Sequence, residues 1–222
     1  MSRLESDLFN YNSKYEKNDV LINKLNITDF SELEKAERMI TTRKLAKLYL
    51  NPGNQTFDVK HYLSIHKYLF EDIYDFAGEI RNESITKPIP FHEDEHIPFC
   101  LPQFIYSELK RVLEESNAKI KYIDTKDKLV MHIAVLYSDL DIIHPFREGN
   151  GRTLREFIRQ YMEYICKINK MDNYYLDYSN IDRNQYLSAV IKADTLLDYN
   201  EIVDLFNSIL RVSNTNKNGK VI

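Results

Sequence analysis

Between residues 126 and 167 the chain carries two apolar stripes at helical spacing, parted by a short loop rich in turn residues. The first stripe is Leu129, Ile133, Leu136, Leu140 and Ile143; the second is Leu154, Phe157, Ile158, Tyr161 and Ile165. Steps of three and four put each set on one helix face, so both helices bury a side. A short connection forces the two helices to be neighbours and fixes the loop at their shared end. Pro145 drives His144 out of the α region, which predicts a helix end at Ile143. Glycine is scarce, with five residues in the chain, yet Gly149 and Gly151 sit two apart here. That clustering marks a sharp bend or a close approach to a ligand.

Elsewhere the pattern is also helical. Helices are predicted over 31–50, 58–75, 103–115, 182–194 and 199–211. The first opens with Ser31 and Glu34 in capping-box spacing, followed by Ala36, Ile40, Leu45 and Leu48 as its apolar face. Four of the six prolines lie between 88 and 102, so residues 80–100 read as a short β-hairpin or ordered loop. The expected organisation is one all-α domain over 1–212, with an N-terminal helical segment and a flexible polar tail from 213 to 222. A hydrophobic fraction of 43% supports a packed core. A net charge of -4 argues against a nucleic-acid partner. The sequence has no apolar run of membrane-spanning length and no apolar leader after Met1, so a soluble cytoplasmic protein is expected. Cys100 and Cys166 supply neither a disulfide framework nor a cysteine zinc site, and both are expected to be reduced and inert.

The loop HPFREGNGRTLR, residues 144–155, holds the densest chemistry. It ends in a helix N-terminus, whose unpaired N–H groups and partial positive charge attract anions. Gly149 and Gly151 allow backbone amides to approach a phosphate. Arg152 and Arg155, three apart, add guanidinium groups on one helix face. Glu148 is a hard oxygen ligand, and one carboxylate plus substrate phosphates suffices for Mg²⁺. His144 has the pKa range of a general base. Phe146 is expected to plug the core. Together these residues describe transfer of a phosphorus-containing group to an alcohol.

These residues resemble the Fic family, whose motif is H-x-F-x-(D/E)-G-N-G-R-x-x-R. His144, Phe146, Glu148, Gly149, Asn150, Gly151, Arg152 and Arg155 fill every fixed position. The stretch IYDFAGEIR at 73–81 is also similar, with Phe76 where a Trp is more usual. The resemblance covers about residues 30–205. It implies an all-α fold with a β-hairpin flap at about 84–100, and transfer of AMP from ATP to a Ser, Thr or Tyr hydroxyl of a protein, this chain included. Carried over, His144 would be the base and Glu148 the Mg²⁺ ligand. Gly149, Asn150 and Gly151 would form the anion hole, and Arg152 and Arg155 would contact the β- and γ-phosphates. Thr86 and Lys87 would face the nucleotide from the flap, which would also dock the protein substrate by strand addition. The intact G-N-G-R favours AMP transfer over the kinase-like branch, where this run is altered; a restrained toxin-like module, or transfer of another nucleotidyl or phosphoryl group, is the alternative.

The chain also departs from the family pattern. Related members often carry an Asn near the adenine, around the place of Leu196 here. Many are restrained by a helix of pattern (S/T)-x-x-x-E-(G/N), whose glutamate would pair with Arg155; no complete copy is present. Glu32 and Glu34 have about the right position but read as ordinary first-turn acids. The restraint is then degenerate, supplied by a separate antitoxin-like partner, or missing, and a homodimer stays open. His92 and His96 formally match the zinc-protease motif H-E-x-x-H, but Pro88, Pro90 and Pro98 exclude the long helix that motif needs. His61, His66 and His132 fall within helical patterns and read as structural.

Overall fold

The computed structural model describes residues 16–17, 20–89 and 92–213, with the side chains of 17 and 87–95 outside that description. The tail from 214 onward, and any helix before residue 16, lie outside it too.

Asp29 starts the first helix, α1 (Phe30–Leu50), by accepting the Glu32 N–H at 2.8 Å. The cap is thus Asp29 rather than Ser31. Asp58 caps α2 (Val59–Phe70) in the same way through the His61 N–H. This helix ends at Phe70 rather than 75, because residues 71–78 tighten into turns that close on Gly78 at φ 84°. Then come α3 (Ile105–Lys119), α4 (Lys126–Ile143), α5 (Asn150–Ile168), α6 (Arg183–Leu196) and α7 (Asn200–Ile209). The molecule is mostly helical, as the patterning required.

Helix α4 is the centre of the fold. Its predicted stripe is buried in full, and Val130, Ala134 and Tyr137 extend burial around the helix. It packs on α3, α5, α6 and α7. Helix α5 buries Leu154, Phe157, Ile158, Tyr161 and Ile165 as expected, against α2 and α4.

Three antiparallel pairs of short strands are added to the helices. β1 (Glu16–Lys17) pairs with β2 (Val20–Leu21). β3 (Thr86–Ile89) and β4 (His92–Pro98) form the expected flap, with Thr86 opposite Pro98 and Lys87 opposite Ile97. β5 (Tyr174–Leu176) pairs with β6 (Leu210–Val212). That last pairing ends α7 at Ile209, where a helix to 211 was expected. His92 and His96 lie on β4, so the H-E-x-x-H run has no helix to bring its histidines one turn apart.

Helix α1 departs most from expectation. Ala36, Ile40 and Leu45 are only partly buried. The buried face is Leu33, Glu37, Thr41, Lys44 and Leu48, apolar at its ends and polar between. A helix buries polar groups only where partners satisfy them. Glu37 is met by Tyr74 and by Arg152 in the first turn of α5, and Thr41 donates to the Glu37 carbonyl of its own helix and accepts from Arg152.

Candidate active site

The loop begins where α4 runs out. His144 is the C-cap in the left-handed region, φ 45°. Its Nδ1 lies 3.1 Å from the Asp141 carbonyl oxygen. A carbonyl can only accept, so this contact calls for the proton on Nδ1 and turns Nε2 toward the site as the candidate base. The imidazole stacks on Phe99 at 3.8 Å between centroids, 16° from parallel. Phe99 follows the flap, whose foot is stitched down by the Phe99 N–H to Ile85 O and the Cys100 N–H to Ile142 O.

Phe146 is fully buried between Tyr62 and His66, stacked on the His66 ring at 3.7 Å. It plugs the core, as expected. His66 is structural: its Nε2 donates to Glu148 O at 2.9 Å, and its Nδ1 accepts the Gly78 N–H at 2.8 Å. Burial pushes its pKa down to about 3, so it stays neutral. His61 and His132 are likewise held low by burial, His132 at about 4. Burial raises both thiols, Cys100 and Cys166, and both are free.

The side chain of Asn150 closes the loop on itself. Its Oδ1 accepts the Phe146 N–H and its Nδ2 donates to Phe146 O, both at 2.8 Å. Asn150 therefore shapes the loop with its amide side chain and offers its main-chain N–H to the exterior. Gly149 sits at φ 80°, and a Cβ there would lie 2.3 Å from the Phe70 ring. Both the torsion and the close approach demand glycine. Helix α5 starts here with no side-chain cap, so its first-turn N–H groups point outward. The Gly149 N–H itself donates to Glu148 Oε1 at 2.7 Å.

Arg152 lies between two acids. Its Nη2 donates to Glu37 Oε1 at 2.5 Å and to Glu148 Oε1 at 3.2 Å. Nη1 reaches Thr41 Oγ1 at 3.4 Å, and the guanidinium covers the Phe70 ring at 4.8 Å. The Tyr74 hydroxyl donates to Glu37 Oε2. Burial first, and then the Glu148 charge, raise the Glu37 pKa. Arg155 lies on the other side of α5. It covers the Tyr178 ring at 5.8 Å, hydrogen-bonds the Tyr137 hydroxyl, and folds back over Gly151. Tyr137 in turn shares a hydroxyl contact of 2.5 Å with Tyr186. Arg147, the loop's non-motif arginine, pairs with Glu16 of β1.

The loop and the start of α5 thus bring together His144, Glu148, Gly149, Asn150, Gly151 and Arg152, whereas Arg155, expected on the same helix face as Arg152, lies on the opposite side among tyrosines. Thr86 and Lys87 open the flap strand, where Thr86 is partly buried; the Lys87 side chain lies outside the described residues. Glu32 stays in the first turn of α1 and Glu34 pairs with Arg38. The α1 acid that reaches a motif arginine is Glu37, and it meets Arg152, not Arg155. Its sequence signal was the polar stripe Glu37, Thr41, Lys44 at helical spacing between Leu33 and Leu48.

A family model described as Fic/DOC family matches residues 56–162. The chain is 30% identical over 181 residues to "Probable protein adenylyltransferase y4lH" of Sinorhizobium fredii, covering 81% of this chain and 85% of that protein. The chain belongs to the Fic/DOC family. A second relative, "Probable protein adenylyltransferase Fic" of Escherichia coli, is 32% identical over 64% of this chain and 67% of its own length. Among solved Fic/DOC structures, BepC of Bartonella tribocorum, crystallised with bound AMPPNP, superposes with a TM-score of 0.73 at 25% identity. That match covers 89% of this chain and 95% of the other. The likeness in fold thus extends well beyond the segment 56–162. Among the described residues, no helix is long and apolar enough to cross a membrane.

Proposed function

We propose that the protein is an adenylyltransferase that moves AMP from ATP to a hydroxyl of a protein, its own chain included. The observation that carries this reading is the placement of His144: its Nδ1 is held 3.1 Å from the Asp141 carbonyl oxygen, at the lip of an uncapped helix N-terminus. Nε2 takes the proton from the incoming hydroxyl. The hydroxyl oxygen bonds to the α-phosphorus, the bond from that phosphorus to the bridging oxygen breaks, and pyrophosphate leaves. The N–H groups of Asn150 and Gly151, with Arg152 and Arg155, hold the phosphates and their developing charge.

The residues fit Mg²⁺ in one respect that can be checked. Both contacts to the Glu148 carboxylate fall on Oε1, which leaves Oε2 for a cation. Among the described residues no group of three His, Cys, Asp or Glu could hold a metal, so the remaining ligands would be phosphate oxygens and water. When bound, the ion neutralises phosphate charge. The target would add its backbone to an edge of the β3–β4 flap, beside the Phe99–His144 stack.

Incubation with α-labelled ATP and Mg²⁺ should label protein, and His144→Ala should abolish it. Label arriving only from γ-labelled ATP would mean phosphoryl transfer instead. Glu37 supports a second reading, in which α1 restrains the site by holding Arg152 away from a triphosphate. A higher rate in Glu37→Gln identifies a restraint; a lower rate identifies a support for the guanidinium.

A further inference from the structure

Arg81 is a buried arginine with an unusual set of partners. It is 2% exposed. Its guanidinium donates to four main-chain carbonyls: Nε to His144 at 2.7 Å, Nη1 to Glu83 at 2.6 Å, and Nη2 to Cys100 at 2.6 Å and Ile143 at 3.3 Å. Its own main-chain N–H donates to Pro145 O at 2.8 Å. Three consecutive carbonyls, 143, 144 and 145, thus accept from this one residue. The other two acceptors, Glu83 and Cys100, are the two feet of the flap.

We infer that Arg81 is the positioning residue of the reaction: it fixes the His144 imidazole and ties that ring to the flap that presents the target. The inference rests on the proposed role of His144 as base and extends it to a residue outside the motif loop. The physical argument has two parts. A helix C-terminus leaves carbonyls without intrahelical donors, and a non-glycine left-handed cap such as His144 is strained. A planar fork with five N–H donors can satisfy several divergent carbonyls at once and hold that torsion. Second, a buried cation needs compensation, and here the negative end of the α4 dipole and the carbonyl oxygens supply it. Burial lowers the Arg81 pKa to about 10, which leaves it charged at neutral pH. Its guanidinium therefore acts as the clamp between flap and base, while the phosphate-facing groups belong to α5.

Arg81→Lys in the full chain tests this, because lysine keeps the charge and loses the fork. With α-labelled ATP, kcat should fall at least tenfold while KM for ATP stays within about twofold, since no phosphate contact changes. In histidine-labelled protein, the His144 ring resonance, displaced by the Phe99 ring, should move in the variant while those of His61, His66 and His132 stay put. An unchanged kcat with an unmoved His144 resonance overturns the proposal. So does a loss in which all four resonances shift together, which would make Arg81 a general scaffold residue. Should the variant not fold, the wild type still decides: its Arg81 Nε–H must exchange slowly, and fast exchange ends the idea. If wild-type protein transfers no AMP, the adenylyltransferase reading fails, while the resonance test still judges Arg81.

Discussion

The two flanks of helix α5 hold their arginines by different chemistry. On the α1 side, Arg152 lies between the carboxylates of Glu37 and Glu148, with Thr41 and Tyr74 completing the network. On the α4–α6 side, Arg155 lies against phenols, those of Tyr137 and Tyr178, with Tyr186 behind. Burial lifts all three tyrosines above their ordinary pKa. The phenolic flank therefore keeps one charge state across the working pH range. The carboxylate flank does not, because Glu37 is already pushed toward its neutral form. Two guanidinium groups one turn apart thus answer differently to mutation and to acid.

The largest break in this comparison is Arg152→Ala. It deletes charged hydrogen bonds to two acids and leaves those carboxylates facing each other. A charge-assisted contact is worth about 1.5–3 kcal/mol, so ATP affinity should fall by about ten- to a hundredfold. The melting temperature should drop as well, because removing one partner of a buried pair strands the other. Titration calorimetry and thermal unfolding check both. Arg155→Ala should cost a similar factor in affinity with a smaller change in melting temperature. Equal melting losses would erase the distinction between the flanks.

Next in size is Gly149→Ala. A Cβ would sit 2.3 Å from the Phe70 ring at a torsion that disfavours alanine, at a cost of about 1–3 kcal/mol for the strain. Denaturant unfolding measures it, and a neutral result would mean the loop can move away from α2.

The pH dependence separates the flanks directly. The folded-state pKa of Glu37 is raised, so its stabilising contribution is complete below the unfolded value and is lost as pH rises through the folded one. Against Glu37→Gln, the wild type should be at its best in acid and lose ground with increasing pH. The groups facing Glu37 in that window are Glu148, Arg152 and Tyr74. Tyrosine variants on the other flank should show no such trend below pH 10.

The smallest effect is expected for Tyr178→Phe. Among the described residues its buried hydroxyl has no hydrogen-bond partner, so removal should be neutral or add about 1 kcal/mol of stability. A clear loss would show that the hydroxyl is used.

The motif loop and its two helices were legible because the signal was local: 3–4 spacing, a proline stop and paired glycines. The flap was legible through its prolines. Glu37 was not, because a polar stripe looks like poor amphipathicity until the burying partner is known. Arg81 closes the IYDFAGEIR stretch that resembles the family, but its role stayed hidden for a related reason. Its acceptors are carbonyls, which carry no residue identity, so sequence pattern could not announce them. The strand pair β5–β6 joins residues about three dozen positions apart and leaves too short a run for periodicity to detect. Asn150 was expected in the anion hole, yet its side chain serves the loop's own backbone.

The clasp between Arg147 and Glu16 bears on how this enzyme fold can be cut down. The recognisable segment, 56–162, contains the whole motif but neither Glu16 nor Glu37. Excising it would strip an acid from each of two arginines, Arg147 and Arg152, while keeping every fixed position of the motif. A shortened version that starts after residue 16 should therefore melt at a lower temperature than the full chain, and a substitution that removes the Arg147 charge should recover part of the loss.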